Sequence, residues 1–186
     1  MMKRTFIAIP VSQETCLQVE AIQKTIPELR ENVRLVPTNN LHLTLKFLGD
    51  TDEKVIPTIS QALDSVVTTI DRFEYSWEGF GCFPNNHKPR VLWLGVGQGL
   101  EQIQKLTQAI ELVLENFGYR TEKREFKPHL TIGRVKNPLK KVAGLESFLN
   151  YKINPTINPV KDVIFYESNL TVGGPIYTRL AVFNLK

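Results

Sequence analysis

His42-Leu43-Thr44-Leu45 and His129-Leu130-Thr131-Ile132 are one short apolar phrase written twice, with a histidine and a threonine at the same two places in each copy. The chain holds three histidines, and two of them sit here. On an extended strand successive side chains alternate between faces. Alternation sends His42 and Thr44 to one side and Leu41, Leu43 and Leu45 to the other. The second copy sets His129 and Thr131 against Leu130 and Ile132. Each strand thus offers an imidazole and a hydroxyl on a polar face, backed by an apolar face that requires a core.

The same flanks precede both copies. Arg4-Thr5-Phe6-Ile7-Ala8-Ile9 and Val91-Leu92-Trp93-Leu94-Gly95-Val96 read as strands, each followed by a helical stretch before its histidine. Ile9 lies 33 positions before His42, and Val96 lies 33 positions before His129. The halves read as one unit used twice. Two copies are too few for a stacked array. Two lobes facing each other across a cleft, with one His-x-Thr on each wall, fit the pattern better.

Such a pair suits the hydrolysis of a cyclic phosphodiester. That reaction needs a base to take a proton from water, an acid to protonate the departing oxygen, and donors for the charged phosphoryl oxygens. An imidazole titrates near 6.5, so one can act neutral while its partner acts protonated. The hydroxyls of Thr44 and Thr131 can donate to the non-bridging oxygens as charge builds. Arg134 supplies a guanidinium for phosphate. Strict alternation from His129 puts it on the opposite face, and a bulge or strand end at Gly133 would be needed to swing it into the cleft. Lys46 shares the His42 face by alternation and could add positive potential. Phe47 could stack on a base, but alternation favours the core. His87 lies in a turn of Asn and Pro and reads as exposed.

The two motifs, the second extended by Gly133-Arg134, resemble the signatures of the 2H phosphoesterases, and within them the RNA 2′,3′-cyclic phosphodiesterases, also called 2′-5′ RNA ligase-like proteins. The resemblance runs nearly end to end. It includes Arg4 to Pro10, Leu43 to Gly49, Phe83-Pro84, Pro89 to Trp93, Tyr166 to Leu170 and Gly173-Gly174. It implies that His42 is the proton donor to the leaving 3′-oxygen and His129 the proton acceptor from water. It further implies a 2′-phosphate product, 2′-5′ ligation as the reverse reaction, and neither metal nor other cofactor. The spacing alone does not say which histidine is the acid.

Composition sets outer bounds. Apolar residues at 42% and charged residues at 23% are those of an ordinary globular domain. The formal charge of +4 is compatible with a polyanionic partner but too small to hold nucleic acid on charge alone. No run of about 18 apolar residues is present, nor a signal-peptide pattern, so a cytoplasmic monomer is expected. Cys16 and Cys82 have no metal or redox spacing and read as free thiols.

In chain order, Ser12 caps a helix predicted to run to about Arg30, with Leu17, Ala21, Ile22, Ile26 and Leu29 inward and a last turn weakened by Pro27. Val33 to Val36 reads as a short strand. Gly49-Asp50-Thr51-Asp52 closes the first His-x-Thr strand. Val55 to Ile70 and Leu100 to Phe117 carry helical stripes, the latter stopped by Gly118. Phe73 to Phe83 reads as a strand, Tyr119 to Phe126 as a strand-like approach, Lys140 to Phe148 as a short helix. Lys161 to Leu170 and Ile176 to Leu185 form a final antiparallel pair.

The expected architecture is α+β: a single bilobal domain over residues 1–186, each lobe an antiparallel sheet with helices on its outer face, around a central cleft. Three other functions compete. A zinc hydrolase wants three protein ligands, and neither motif contains a carboxylate. A non-catalytic RNA-binding module would not need both histidines. A 2H enzyme acting on a small cyclic nucleotide or another 2′-linked phosphodiester would use the same residues.

Overall fold

The computed structural model describes residues 1–121 and 126–186. Strand β1 (Met2–Pro10) carries the opening apolar run and stops at Pro10, which has no amide for a central ladder. The Ser12 hydroxyl accepts from the Thr15 amide at 3.1 Å and caps α1 (Gln13–Thr25). A helix reaching Arg30 does not form. A proline inside a helix costs about 3 kcal/mol, more than one further turn returns, so α1 ends two residues before Pro27 and a single turn, α2 (Leu29–Asn32), follows. Val19 and Ile22 form the buried stripe, whereas Leu17, expected inward, is 56% exposed.

After β2 (Val33–Leu35) a 3₁₀ turn over Thr38–Asn40 leads into β3 (His42–Asp52), which runs through Gly49 rather than closing there. Helix α3 (Ile56–Val67) tolerates Pro57 in its first turn. Then come β4 (Phe73–Phe83), β5 (Val91–Val96) and α4 (Leu100–Glu115), beyond which Gly118 adopts φ 83°. Of the expected approach strand, residues 122–125 lie outside the described residues, and Tyr119 to Thr121 and Phe126 are not in a strand. The chain continues with β6 (His129–Val135) and α5 (Leu145–Leu149), the latter shorter than expected. An unanticipated strand, β7 (Ile157–Val160), precedes β8 (Asp162–Thr171) and β9 (Gly174–Asn184). Pro159 hides β7 in the sequence, and the strand accommodates it because it lies at a sheet edge.

The strands run in the order β7-β4-β5-β6-β3-β1-β8-β9, with β2 also on β6, and every pairing is antiparallel. The sheet is curled. The two His-x-Thr strands, β3 and β6, meet at its middle through one bridge, Leu43 to Leu130. Strands β3, β1, β8 and β9 form the His42 half, and β6, β5, β4, β7 and β2 the His129 half. This is the two-lobed α+β architecture expected from the repeat.

The helices exchange partners between the halves. Helix α1 follows β1 but packs on the His129 half, where its Thr15 Oγ1 accepts from Trp77 Nε1 at 2.9 Å and donates to Asn158 Oδ1 at 2.8 Å. Helix α4 follows β5 but lies on the His42 half beside α3. One continuous core results, containing Ile7, Ile9, Leu43, Ile59 and Leu63 together with Ile22, Leu92, Leu94, Leu130 and Phe148.

Candidate active site

Both His-x-Thr strands carry the same irregularity at the same place. The β1–β3 register passes from Ala8–Thr44 to Ile7–Lys46 and leaves Leu45 unopposed. The β5–β6 register passes from Trp93–Thr131 to Leu92–Gly133 and leaves Ile132 unopposed. One extra residue on one strand is a bulge, and it resets the alternation that follows. In both strands two consecutive residues turn to the core, Leu45-Lys46 and Ile132-Gly133. The next residue in each, Phe47 and Arg134, then returns to the histidine face.

This corrects two readings made from alternation. Lys46 is not on the His42 face: it is 5% exposed, and its Nζ donates to Glu111 Oε1 at 2.5 Å and to the Arg120 carbonyl at 2.9 Å. Phe47 is not in the core: it is 62% exposed on the histidine side. Arg134 comes near enough for its charge to act on both histidines. His87 sits exposed in the loop after β4, apart from this group.

The bridge at the seam sets the motifs against each other. In each strand the bridging leucine lies between the histidine and the threonine of its motif, so the two motifs adjoin at the seam.

The two rings are held alike. His42 Nδ1 lies 2.8 Å from the Asn40 carbonyl and His129 Nδ1 lies 2.7 Å from the Lys127 carbonyl, each two residues upstream. A carbonyl can only accept, so each neutral ring carries its proton on Nδ1 and presents Nε2 as the reactive nitrogen. The Asn40 side chain also reaches across the sheet, where its Nδ2 donates to the Pro175 carbonyl at 2.9 Å and tethers the start of β9.

Rings that sequence reasoning did not single out for the site stand around the histidines. Tyr177 meets His42 edge-on at 5.1 Å, and Phe6 lies 4.8 Å from it. Phe83 meets His129 edge-on at 5.0 Å, with Trp93 at 6.4 Å. Alternation along β9, which puts Tyr177 and Arg179 on one face, was the available signal. A hollow of about 270 Å³ opens beside His129, lined by Glu78, Phe80, Phe83, Trp93 and Lys127 among others. Gly81 lies against Trp93, where a Cβ would come within 2.2 Å of the ring.

Burial dominates the electrostatics. It pushes His42 down from 6.5 to about 4, and the Arg134 and His129 charges add to the effect against the upward pull of the Asn40 carbonyl. His129 is lowered too, by burial first and with a smaller push from Arg134, against the upward pull of the Lys127 carbonyl. The lowering favours the neutral form of both rings at pH 7. Among the described residues no three His, Cys, Asp or Glu side chains gather in an arrangement that could hold a metal ion. The arrangement can exchange two protons on either side of an anion.

A family model described as the 2′-5′ RNA ligase superfamily matches residues 12–154. An RNA 2′,3′-cyclic phosphodiesterase of Methanothermobacter thermautotrophicus is 36% identical over 100% of both chains. One of Archaeoglobus fulgidus is 37% identical over 97% of this chain and 99% of its own. Among solved structures, TT0787 of Thermus thermophilus superposes with a TM-score of 0.80 at 26% identity, covering 97% of each chain. Escherichia coli LigT complexed with 3′-AMP gives 0.78 at 24% identity, covering 100% of this chain and 99% of its own, a likeness of fold. With this family model matching residues 12–154 and relatives of 36–37% identity covering nearly the whole chain, the chain belongs to the 2′-5′ RNA ligase superfamily.

Proposed function

We propose that this protein opens the terminal 2′,3′-cyclic phosphate of RNA by two-histidine acid–base catalysis and leaves a 2′-phosphate. One observation carries the proposal: two imidazoles with Nδ1 anchored to a carbonyl and Nε2 presented on the face that Arg134 joins. His129 Nε2 takes a proton from water as the water oxygen attacks phosphorus. The bond from phosphorus to the 3′-oxygen breaks on the opposite side, and that oxygen takes the proton of His42 Nε2. The hydroxyls of Thr44 and Thr131 and the Arg134 guanidinium bind the non-bridging oxygens. With a 5′-hydroxyl in place of water the same displacement forms a 2′-5′ linkage. Working as a single bilobal domain, one chain supplies every group named, so a monomer suffices. Among the described residues no helix is long and apolar enough to cross a membrane.

The acid must be protonated before it can act, and an empty site at pH 7 leaves His42 neutral. A bound phosphodiester brings a negative charge between the imidazoles and Arg134. It screens the guanidinium and favours the imidazolium. Substrate binding thus loads the acid. In a titration followed by the ring Cε1–H signals, His42 should show a midpoint near 4 and His129 one below 6.5, and inorganic phosphate should move both upward. A His42 midpoint at or above 6.5 in the empty protein refutes the loading step. Because the folded value lies below the unfolded one, the unfolded chain binds the extra proton. Stability therefore falls as the pH drops from 6.5 toward 4, by at most about 3 kcal/mol from His42.

The reaction itself is tested with a short RNA ending in a 2′,3′-cyclic phosphate, incubated in excess EDTA and compared by chromatography with authentic 2′- and 3′-phosphates. A 2′-phosphate is expected. A 3′-phosphate would reverse the leaving oxygen and the roles of the two histidines. Turnover of small cyclic nucleotides alone would replace RNA as the substrate, and loss of activity in EDTA would point to a metal.

A further inference from the structure

We propose that Arg34 is a specificity-determining residue that binds a second phosphate of the substrate, the phosphodiester on the 5′ side of the ribose whose cyclic phosphate is opened. The inference rests on the reading that a terminal cyclic phosphate is the group attacked. In an RNA with that end every other phosphate lies on the 5′ side of the last ribose, and the nearest is one nucleotide away.

The ladders place the residue. Arg34 of β2 pairs directly with Arg134 of β6, Arg134 pairs with Val91 of β5, and Val91 pairs with Phe83 of β4. The four form one row across four strands. Phe83 meets His129 edge-on at 5.0 Å, so the row lies on the histidine face. Arg34 is exposed there, while its neighbours Val33 and Leu35 pack on the core. Directly opposed residues hold their Cβ atoms about 4.5–5.5 Å apart, and like charges so placed destabilise a sheet unless an anion joins them. Among the described residues neither guanidinium forms an ion pair with a carboxylate. A guanidinium offers the planar fork that fits phosphate.

A strand of three residues would hold its place poorly by itself, and β2 is fastened at both ends. Asn32, 7% exposed, donates through Nδ2 to the Asn137 and Lys140 carbonyls at 2.9 and 3.1 Å, and its Oδ1 accepts from the Asn137 amide at 3.0 Å. Beyond the strand the Val36 amide donates to the Ile132 carbonyl at 2.9 Å. Gly133 gives β2 room between these points: a Cβ there would come within 2.5 Å of Val33 Cγ1 and 3.2 Å of the Arg34 carbonyl. The Gly133-Arg134 extension of the second motif thus carries one guanidinium and admits the strand that carries the other. Arg134 bears on both histidines and serves the reactive phosphate. Arg34 stands one strand beyond it, and the phosphate it meets is the next one along the RNA.

The test uses a dinucleotide ending in a 2′,3′-cyclic phosphate and the same dinucleotide with an uncharged methylphosphonate in place of its internal phosphodiester. With the wild type the neutral linkage should lower kcat/KM about tenfold, the value of one hydrogen bond to a charged phosphate. With Arg34→Gln the two substrates should differ by less than about twofold, and with Arg34→Lys, which keeps the charge and loses the fork, the difference should return in part. On the native dinucleotide Arg34→Gln should also reduce the slope of log KM against log salt by about 0.7. Three results overturn the inference while ring opening by the wild type stands: a wild type indifferent to the neutral linkage, a difference that survives Arg34→Gln, or an equal loss on both substrates, which would put Arg34 on the reactive phosphate. A wild type that opens neither ring overturns the underlying reading, and this inference with it.

Discussion

His42→Ala and His129→Ala should each lower kcat for ring opening by about 10²- to 10⁴-fold, the span for losing one general acid or base. Each residue handles a proton at one end of a single displacement, so neither covers for the other. The double variant should fall little below the worse single one, since groups acting in one step are not additive. Folding should barely suffer. Each ring makes one hydrogen bond to a carbonyl two residues away, an interaction worth about 1 kcal/mol net. His42 is also held neutral at a cost that its removal relieves below pH 6.5. Steady-state turnover on a cyclic-phosphate RNA, with melting curves for the same samples, checks both halves of this expectation. More than about a tenth of wild-type turnover in either variant would falsify two-histidine catalysis.

Glu111→Leu should destabilise the protein by about 3–5 kcal/mol, because it leaves the Lys46 ammonium buried opposite an apolar side chain. The pair spans β3 and α4 at 2.5 Å, and both side chains are at most 10% exposed. At roughly 2–4 °C per kcal/mol for a chain of this size, the melting temperature should drop by about 6–20 °C. Lys46→Met combined with Glu111→Leu should recover most of that, since two apolar groups of similar volume have no charge to desolvate. A Glu111→Leu variant within about 1 kcal/mol of wild type would show that this pair does not hold β3 to α4. The stakes reach the site, because Lys46 is the residue the bulge turns inward as Phe47 is turned outward.

What the sequence disclosed and what it hid divide along one physical line. Periodicity exposes any element that buries one regular face. The paired His-x-Thr strands, both central helices and the closing hairpin were legible for that reason. It fails where a ladder gains a residue, because period-two reasoning carries no sign of an insertion. The bulges at Leu45 and Ile132 thus reversed the readings of Lys46 and Phe47 and left Arg134 dependent on a bend that only coordinates reveal. For side chains brought in by distant strands, alternation gives the face but not the partner they meet. Tyr177 meets His42 from far along the chain, held there by a hydrogen bond from Asn40 to Pro175. The exchange of α1 and α4 between the halves left no trace in composition or spacing. It depends on which sheet each apolar stripe finds, and both sheets are apolar.

That exchange bears on how such a chain can come into being and how it can fail. A duplication that merely set two finished units side by side would leave each able to stand without the other. Here the His129 sheet is roofed by α1 of the first repeat, and the His42 sheet by α4 of the second alongside its own α3, so either repeat alone would leave a helix without its floor. The two histidines acquire their setting only when the whole chain has closed upon itself. There is no half-enzyme from which to start, and none to fall back on.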